Sequence, residues 1–212
     1  MRQIGRLHVL TDVALQSRFS HIELTRLAIA GGADTIQFRQ KEGSTRVMIE
    51  TAREMKALCS QAGVVFIVND RVDVALASES DGVHLGQDDF PIALARRYLG
   101  GDRIIGGSAA TMEEACSCLE AGADYIGFGP VYPTTSKDDA GPVSGSDVLS
   151  RVVQETQIPI IAIGGVNASN TAAVLRSGAH GIAVISAVCC QDDPEEATRI
   201  LREAIETGQG AI

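Results

Sequence analysis

The chain has 212 residues, is 45% hydrophobic, contains 22 glycines and carries a formal net charge of -9. That length and apolar share suit one domain, residues 1–212, with a full core, and the lack of any run of 18 apolar residues excludes a membrane-spanning helix. The acidic balance, without a basic patch or aromatic-rich strand, speaks against nucleic acid.

Short β-branched runs alternate with helical patterns along the whole chain. Strands are predicted at Leu7–Thr11, Thr35–Arg39, Val64–Val68, Gly82–Leu85, Ile104–Gly107, Tyr125–Phe128, Ile160–Ile163 and Gly181–Ile185. Helices are predicted at Glu23–Ala30, Thr45–Ala62, Pro91–Tyr98, Met112–Ala121, Asp147–Glu155, Ser169–Ser177 and Pro194–Glu206, with a short connection near Val72–Leu76 after the third strand. The phrases Gly31-Gly32-Ala33-Asp34, Gly122-Ala123-Asp124 and Gly178-Ala179-His180 resemble one another, each closing a helix with glycine before a strand. Residues 207–212 read as a frayed tail. Eight βα units point to an α/β fold, a single (β/α)8 barrel. A doubly wound open sheet is the alternative, weakened because no G-x-G-x-x-G follows the first strand.

The start of the chain runs into a strand with no signal-peptide core. Five cysteines stand at spacings that are neither zinc nor thioredoxin patterns. Both features fit a protein of a reducing cytoplasm.

A barrel gathers its functional groups at the C-terminal ends of its strands. At the second strand, Gln37, Arg39 and Lys41 share one face by the period of two, with Ile36 and Phe38 opposite. Two cations there suit an anion, although a solvated edge strand with ion-paired ends also shows charge. Asn69 and Asp70 follow the third strand, His84 to Asp89 the fourth, and Ser108 the fifth. Asp70 and Asp89 beside so many cations are consistent if Mg²⁺ sits between them, since that ion takes one or two carboxylates plus phosphate oxygens and water. Helix capping is the other reading for Asp88 and Asp89, and a cap or a pair with Arg71 for Asp70. The long segment after the sixth strand brings Thr134, Ser136 and Lys137, as a binding loop or as plain surface. Gly164-Gly165 after the seventh strand and Ile185-Ser186 at the eighth suit a phosphate site, or a simple glycine turn into the next helix.

Five motifs in order, Gln37-Phe38-Arg39-Gln40-Lys41, Val68 to Asp73, Asp81 to Asp89, Gly129 to Lys137 and Ala162 to Val166, resemble the thiamine phosphate synthase family from Leu7 to about Ala204. The resemblance implies a Mg²⁺-dependent transferase of the same barrel fold. It would join 4-amino-2-methyl-5-hydroxymethylpyrimidine pyrophosphate to 4-methyl-5-hydroxyethylthiazole phosphate, giving thiamine phosphate and pyrophosphate. It further implies that Gln37, Phe38, Arg39, Gln40, Lys41, Asn69, Ser108 and Lys137 bind the pyrimidine pyrophosphate, with Arg39, Lys41 and Lys137 acting in catalysis. Asp70 and Asp89 would carry the metal. Thr134, Thr135, Ser136, Gly165, Ile185 and Ser186 would bind the thiazole phosphate. Phe38 stands where the family more often has Leu, Ser136 where it has Thr, and Ala110 where many members have His. The last departure tells against the related thiazole tautomerase, which relies on that His. A non-catalytic thiazole phosphate-binding paralogue is the remaining alternative. The partners expected are these small molecules, with no nucleic acid and no membrane.

Overall fold

The computed structural model describes residues 4–136 and 141–209. The strands are β1 (Leu7–Thr11), β2 (Thr35–Phe38), β3 (Val65–Asn69), β4 (Gly82–Leu85), β5 (Ile104–Ala109), β6 (Tyr125–Phe128), β7 (Ile160–Ala162) and β8 (Gly181–Val184). Every neighbouring pair is parallel, and β8 returns to pair with β1, Leu7 opposite Ile182, so the sheet closes into a barrel. The helices are α1 (His21–Ala30), α2 (Thr45–Ala62), α3 (Val72–Ala77), α4 (Ile92–Leu99), α5 (Met112–Glu120), α6 (Gly145–Thr156), α7 (Ala168–Arg176), a short α8 (Ser186–Cys189) and α9 (Pro194–Gln209). The (β/α)8 expectation holds. The differences are small: β5 runs to Ala109, so Ser108 belongs to the strand itself. Helix α9 continues to Gln209, which corrects the tail expected from residue 207, while residues 210–212 lie outside the described residues.

Strand periodicity divides the core into two layers. Outward residues such as Ile36, Phe38, Val68, Ile105 and Phe128 pack beneath the helices. On α2, Met48, Ala52, Met55 and Cys59 are buried at helical spacing, and this stripe seats that helix on the sheet. Inward residues Leu10, Ile67, Ile104, Tyr125, Ile161, Ala183 and Ile185 fill the barrel. The interior has room for Tyr125 and His84 because β5 is bare at Gly106. A Cβ there would lie 2.3 Å from the Tyr125 ring and 2.4 Å from the His84 ring.

The repeated phrase before the even strands has a purpose beyond helix termination. Asp34 Oδ2 accepts the backbone N–H of Leu7 and of Arg6, each at 2.9 Å, while its other oxygen meets Arg202. Asp81 accepts the N–H of Phe66 at 3.0 Å and the Lys56 ammonium at 2.8 Å. Asp124 accepts the N–H of Ile105 at 2.7 Å and the Arg96 guanidinium at 2.6 Å. Each carboxylate thus ties the start of one strand to that of its neighbour at the N-terminal face and is held by a helix cation. Asp81 holds this place before β4 without the glycine phrase, and in the third phrase, before β8, His180 stands in place of Asp and pairs with the Ile4 carbonyl at 2.8 Å.

Partly buried Asp34 and buried His8 and His21 make the stability of the fold depend on pH. Burial opposes ionisation of Asp34, yet the Leu7 and Arg6 amides and Arg202 together hold its carboxyl below the usual value. The folded state therefore binds that proton less readily than the unfolded chain. The stabilisation is complete above the unfolded carboxylate value and is lost as pH falls through the folded one. Asp34→Ala should lower unfolding free energy by about 2 kcal/mol at neutral pH, and the gap from the unsubstituted protein should narrow in acid; a gap that stays constant down to pH 2 contradicts this. Burial, against a hydrogen bond to the Gly5 carbonyl, also lowers His8 to about 4, and burial lowers His21 to about 4 against the pull of Asp12. Here the unfolded chain takes up the protons first. Stability should fall between roughly pH 6.5 and 4, by up to about 1.4 kcal/mol per pH unit for each histidine. Urea midpoints measured across that range test it, and a flat profile refutes it.

Candidate active site

At the C-terminal ends of β4 to β8 a cavity of about 840 Å³ opens. Ser108, Thr134, Ser136, Gly165, Ile185 and Ser186 all line it. The Ser136 and Ser186 hydroxyls meet at 2.9 Å, joining the loop after β6 to the first turn of α8. Thr134 Oγ1 accepts the Ser136 N–H at 3.2 Å, while Thr135 is exposed and stands outside the cavity lining. The base of this loop is pinned to β7: the Val131 N–H donates to Ile163 O at 2.9 Å, and the Tyr132 N–H to Gly164 O at 3.0 Å. That packing accounts for a glycine at 165. Its φ is +63°, and a Cβ would meet the Pro133 carbonyl oxygen at 2.5 Å. Lys137 lies outside the described residues.

A second cluster sits at β1 to β3. Gln37 and Arg39 are buried, and so is Asn69, the last residue of β3. Gln37 Oε1 and Arg39 Nε are buried without a hydrogen-bond partner among the described residues. Arg39 Nη1 pairs with the buried Asp12 carboxylate just past β1. The other Asp12 oxygen accepts the Ala14 N–H at 2.8 Å. Lys41 is exposed on the loop that follows β2. Two residues of this motif turn elsewhere. Phe38 is buried in the outer layer, edge-on to His21 with ring centres 4.7 Å apart, so its side chain does not enter the barrel. Gln40 spends its side-chain amide on the Glu42 carbonyl at 2.9 Å, closing its own turn.

Asp70 and Asp89 follow adjacent strands and are both partly exposed. Asp70 adopts a left-handed backbone, φ 65°, and its N–H donates to the His84 carbonyl at 2.8 Å, which fixes the end of β3 to that of β4. Asp89 folds back so that Oδ2 accepts the Gly86 N–H at 2.7 Å. Among the described residues no group of three or more His, Cys, Asp or Glu could hold a metal ion. Two hard carboxylates suit Mg²⁺ only where phosphate oxygens and water complete its shell, so the donor chemistry fits an ion that arrives with a phosphorylated ligand. Asp88 is exposed.

Between the clusters lies a polar chain within the barrel. His84 Nδ1 is 3.0 Å from the Tyr125 hydroxyl, and Nε2 is 2.9 Å from Ser108 Oγ. Gln87 Nε2 donates to the Ser108 carbonyl at 2.5 Å. Ser108 is thereby held at both backbone and side chain.

A profile of the thiamine monophosphate synthase family matches residues 7–188. The chain belongs to that family. It is 52% identical over 205 residues to the thiamine-phosphate synthase of Salinibacter ruber, covering 97% of this chain and 90% of the relative. It is 53% identical over 199 residues to that of Methanocella arvoryzae, covering 94% of each. A solved thiamine phosphate pyrophosphorylase from Pyrococcus furiosus superposes with a TM-score of 0.87 at 41% identity over 96% of each chain. A 3-hexulose-6-phosphate synthase, 19% identical with a TM-score of 0.65, shares the fold alone.

Sequence reasoning passed over Asp12. It stands directly after the first strand, at the same level as the polar ends of the others, and that position was the available signal. For Arg39 the sequence offers an anion-binding cation or an ion-paired strand end, and one of its nitrogens is committed to an ion pair within the protein. Removing Asp12 leaves a buried guanidinium uncompensated, so Asp12→Ala should cost about 3 kcal/mol of stability, and the double variant Asp12→Ala/Arg39→Met should recover most of that loss. Urea unfolding of the set checks it; a single variant as stable as the parent contradicts the pairing.

Proposed function

We infer that this chain performs the family's condensation, joining 4-amino-2-methyl-5-hydroxymethylpyrimidine pyrophosphate to 4-methyl-5-hydroxyethylthiazole phosphate to give thiamine phosphate and pyrophosphate. The observation that carries the reading is the division of the site. A compartment of glycine and hydroxyl groups, Gly165, Ser136 and Ser186, opens beside a cation-bearing cluster of Gln37, Arg39 and Asn69. One suits a small monophosphate, the other the more highly charged diphosphate.

The chemistry asks for little acid–base machinery. Departure of pyrophosphate from the methylene leaves a cation stabilised by the electron-rich aminopyrimidine, and the thiazole nitrogen then attacks that carbon. The protein's tasks are to stabilise the leaving anion and to align the partners. Arg39, Lys41 and Lys137 supply positive charge, and Gln37, Asn69 and Ser108 supply hydrogen bonds. Arg39 enters this role already oriented by Asp12, which lowers the cost of fixing a long side chain when the anion binds. Gly165, Ile185 and Ser186 fix the thiazole phosphate at the end remote from its reacting nitrogen, with Thr134 and Ser136 above it. Asp70 and Asp89 would hold Mg²⁺, which when bound supplies further charge neutralisation to the diphosphate. Phe38 and Gln40 contribute through the shape of their strand and turn. The tautomerase alternative is disfavoured because Ala110 carries no titratable side chain. No described helix is long and apolar enough to cross a membrane, and we place the enzyme in the cytoplasm.

The test is pyrophosphate release and thiamine phosphate formation with both substrates and Mg²⁺. Asp70→Asn is the informative variant, because Asn tolerates the left-handed backbone while removing the charge. It should keep the fold and lower turnover by about a hundredfold or more, and chelation of Mg²⁺ should abolish turnover. Full activity of Asp70→Asn in chelator would overturn the metal assignment, and absence of product with the unsubstituted protein would overturn the reaction.

A further inference from the structure

The buried chain Tyr125–His84–Ser108 offers a hydrogen-bond direction that its surroundings decide. Tyr125 is fully buried among Leu10, Ile67, Ile104 and Ile161. Among the described residues, His84 Nδ1 is the only hydrogen-bond partner of its hydroxyl. Suppose that Nδ1 carried the proton and donated to the tyrosine. The phenolic proton would then be buried without an acceptor, at a cost of about 1–3 kcal/mol. A doubly protonated ring fails in the same way. If instead the phenol donates, Nδ1 accepts, and the imidazole proton must sit on Nε2, facing Ser108 Oγ at 2.9 Å. Burial pushes the phenol's ionisation upward, which keeps it a donor. The ring has no freedom to turn away: a Cβ at Gly106 or at Gly127 would lie 2.4 Å or 2.9 Å from it.

We propose that Tyr125 and His84 are positioning residues that set the polarity of Ser108: Tyr125 O–H donates to His84 Nδ1, His84 Nε2–H donates to Ser108 Oγ, and the Ser108 hydroxyl proton is left to donate into the cavity, toward an oxygen of the leaving pyrophosphate. The opposite polarity would spend the serine proton on Nε2 and turn only lone pairs toward an anion. Gln87, bonded to the Ser108 carbonyl, keeps the backbone in place for this arrangement. The identity of the anion follows the reaction proposed above; the direction of the chain is independent of it.

Nitrogen NMR of the ¹⁵N-histidine-labelled full-length protein at neutral pH reads the tautomer, with the signal assigned by its loss in His84→Gln. The expected spectrum has Nε2 protonated and Nδ1 bare. In Tyr125→Phe Nδ1 loses the donor that fixes the tautomer, so both nitrogen signals should shift toward the average of two exchanging forms, and kcat/KM for the pyrimidine pyrophosphate should fall about tenfold, the scale of one hydrogen bond to a charged group. Most of that loss should vanish when Tyr125→Phe is made in a Ser108→Ala background, because the serine is the route through which tyrosine acts. A purely structural role would give the same loss in both backgrounds. An Nδ1–H tautomer in the unsubstituted protein, or an undiminished loss in Ser108→Ala, would overturn the proposal. Should the protein form no thiamine phosphate at all, the proposed reaction fails while the spectrum still decides the polarity. The affinity of inorganic pyrophosphate with Mg²⁺, measured by calorimetry, then replaces the kinetic comparison.

Discussion

An eight-stranded barrel encloses a space only as wide as the side chains that fill it, and the filling of that space governs everything above it. Here the lower interior is mostly apolar, with His8 and Thr35 among the aliphatic side chains, and carries one large ring, Tyr125, accommodated by the bare strand at Gly106. The next level is polar: Asp12, Gln37, Arg39, Asn69, His84 and Ser108 are all inward or at strand ends. The order of the two levels is what makes a site possible. Polar groups placed on a packed floor have few partners below, the Tyr125 hydroxyl under His84 being one, and so they otherwise point toward the cavity or toward each other.

Those mutual contacts differ in kind across the barrel. On the β1–β2 side a full ion pair, Asp12 with Arg39, keeps a cation buried in the absence of any anion. A buried guanidinium without such a counter-ion would be costly to the fold, and with too tight a one it would be useless to a ligand. The arrangement leaves the remainder of the fork uncommitted to Asp12, and Arg39 Nε has no hydrogen-bond partner among the described residues. On the β4–β6 side the contacts are neutral hydrogen bonds through His84. Charge and neutral donors thus approach the proposed diphosphate from two sides, Arg39 from β1–β2 and Ser108 from β4–β6.

Much of this was legible in the sequence. Strand alternation placed Gln37 and Arg39 on the same face, and eight βα units implied closure, because both are consequences of local period. The motif order, matched to strand ends, brought together Ser136, Gly165, Ile185 and Ser186, and the structure adds Ser108, grouped by the resemblance with the pyrophosphate residues, to the lining of the same cavity. What stayed hidden depends on partners distant in the chain. Nothing near Asp12 in sequence indicates that its carboxylate meets a guanidinium 27 residues away. Nor does any local pattern show that His84 joins Tyr125, 41 residues on, to Ser108. Phe38 shows local period outweighing resemblance: the period of two sets it opposite Gln37 and Arg39, whereas the ligand contact came only from the family likeness. Its neighbours in the motif face inward, but strand parity sends its own ring out to His21. The repeated Gly-Ala-Asp phrase was recognised as helix termination, while its carboxylate's bond to the adjoining strand could be seen only once the strands were paired.

Those carboxylates have an electrical consequence. Among the described residues Asp34, Asp81 and Asp124 each meet a cation, Arg202, Lys56 and Arg96, so these three fastenings of the lower rim are ion pairs. Asp34 and Arg39 bracket β2, a separation of about 16 Å along the strand, while the screening length in physiological salt is about 8 Å. A neutral pair produces a field that fades faster still. The potential met by an incoming anion is therefore composed by the groups at the upper rim, insulated from the ionic fastening below and from much of the chain's overall negative charge. Natural or engineered changes of charge at the lower rim can alter the strength of the barrel while leaving that potential nearly untouched.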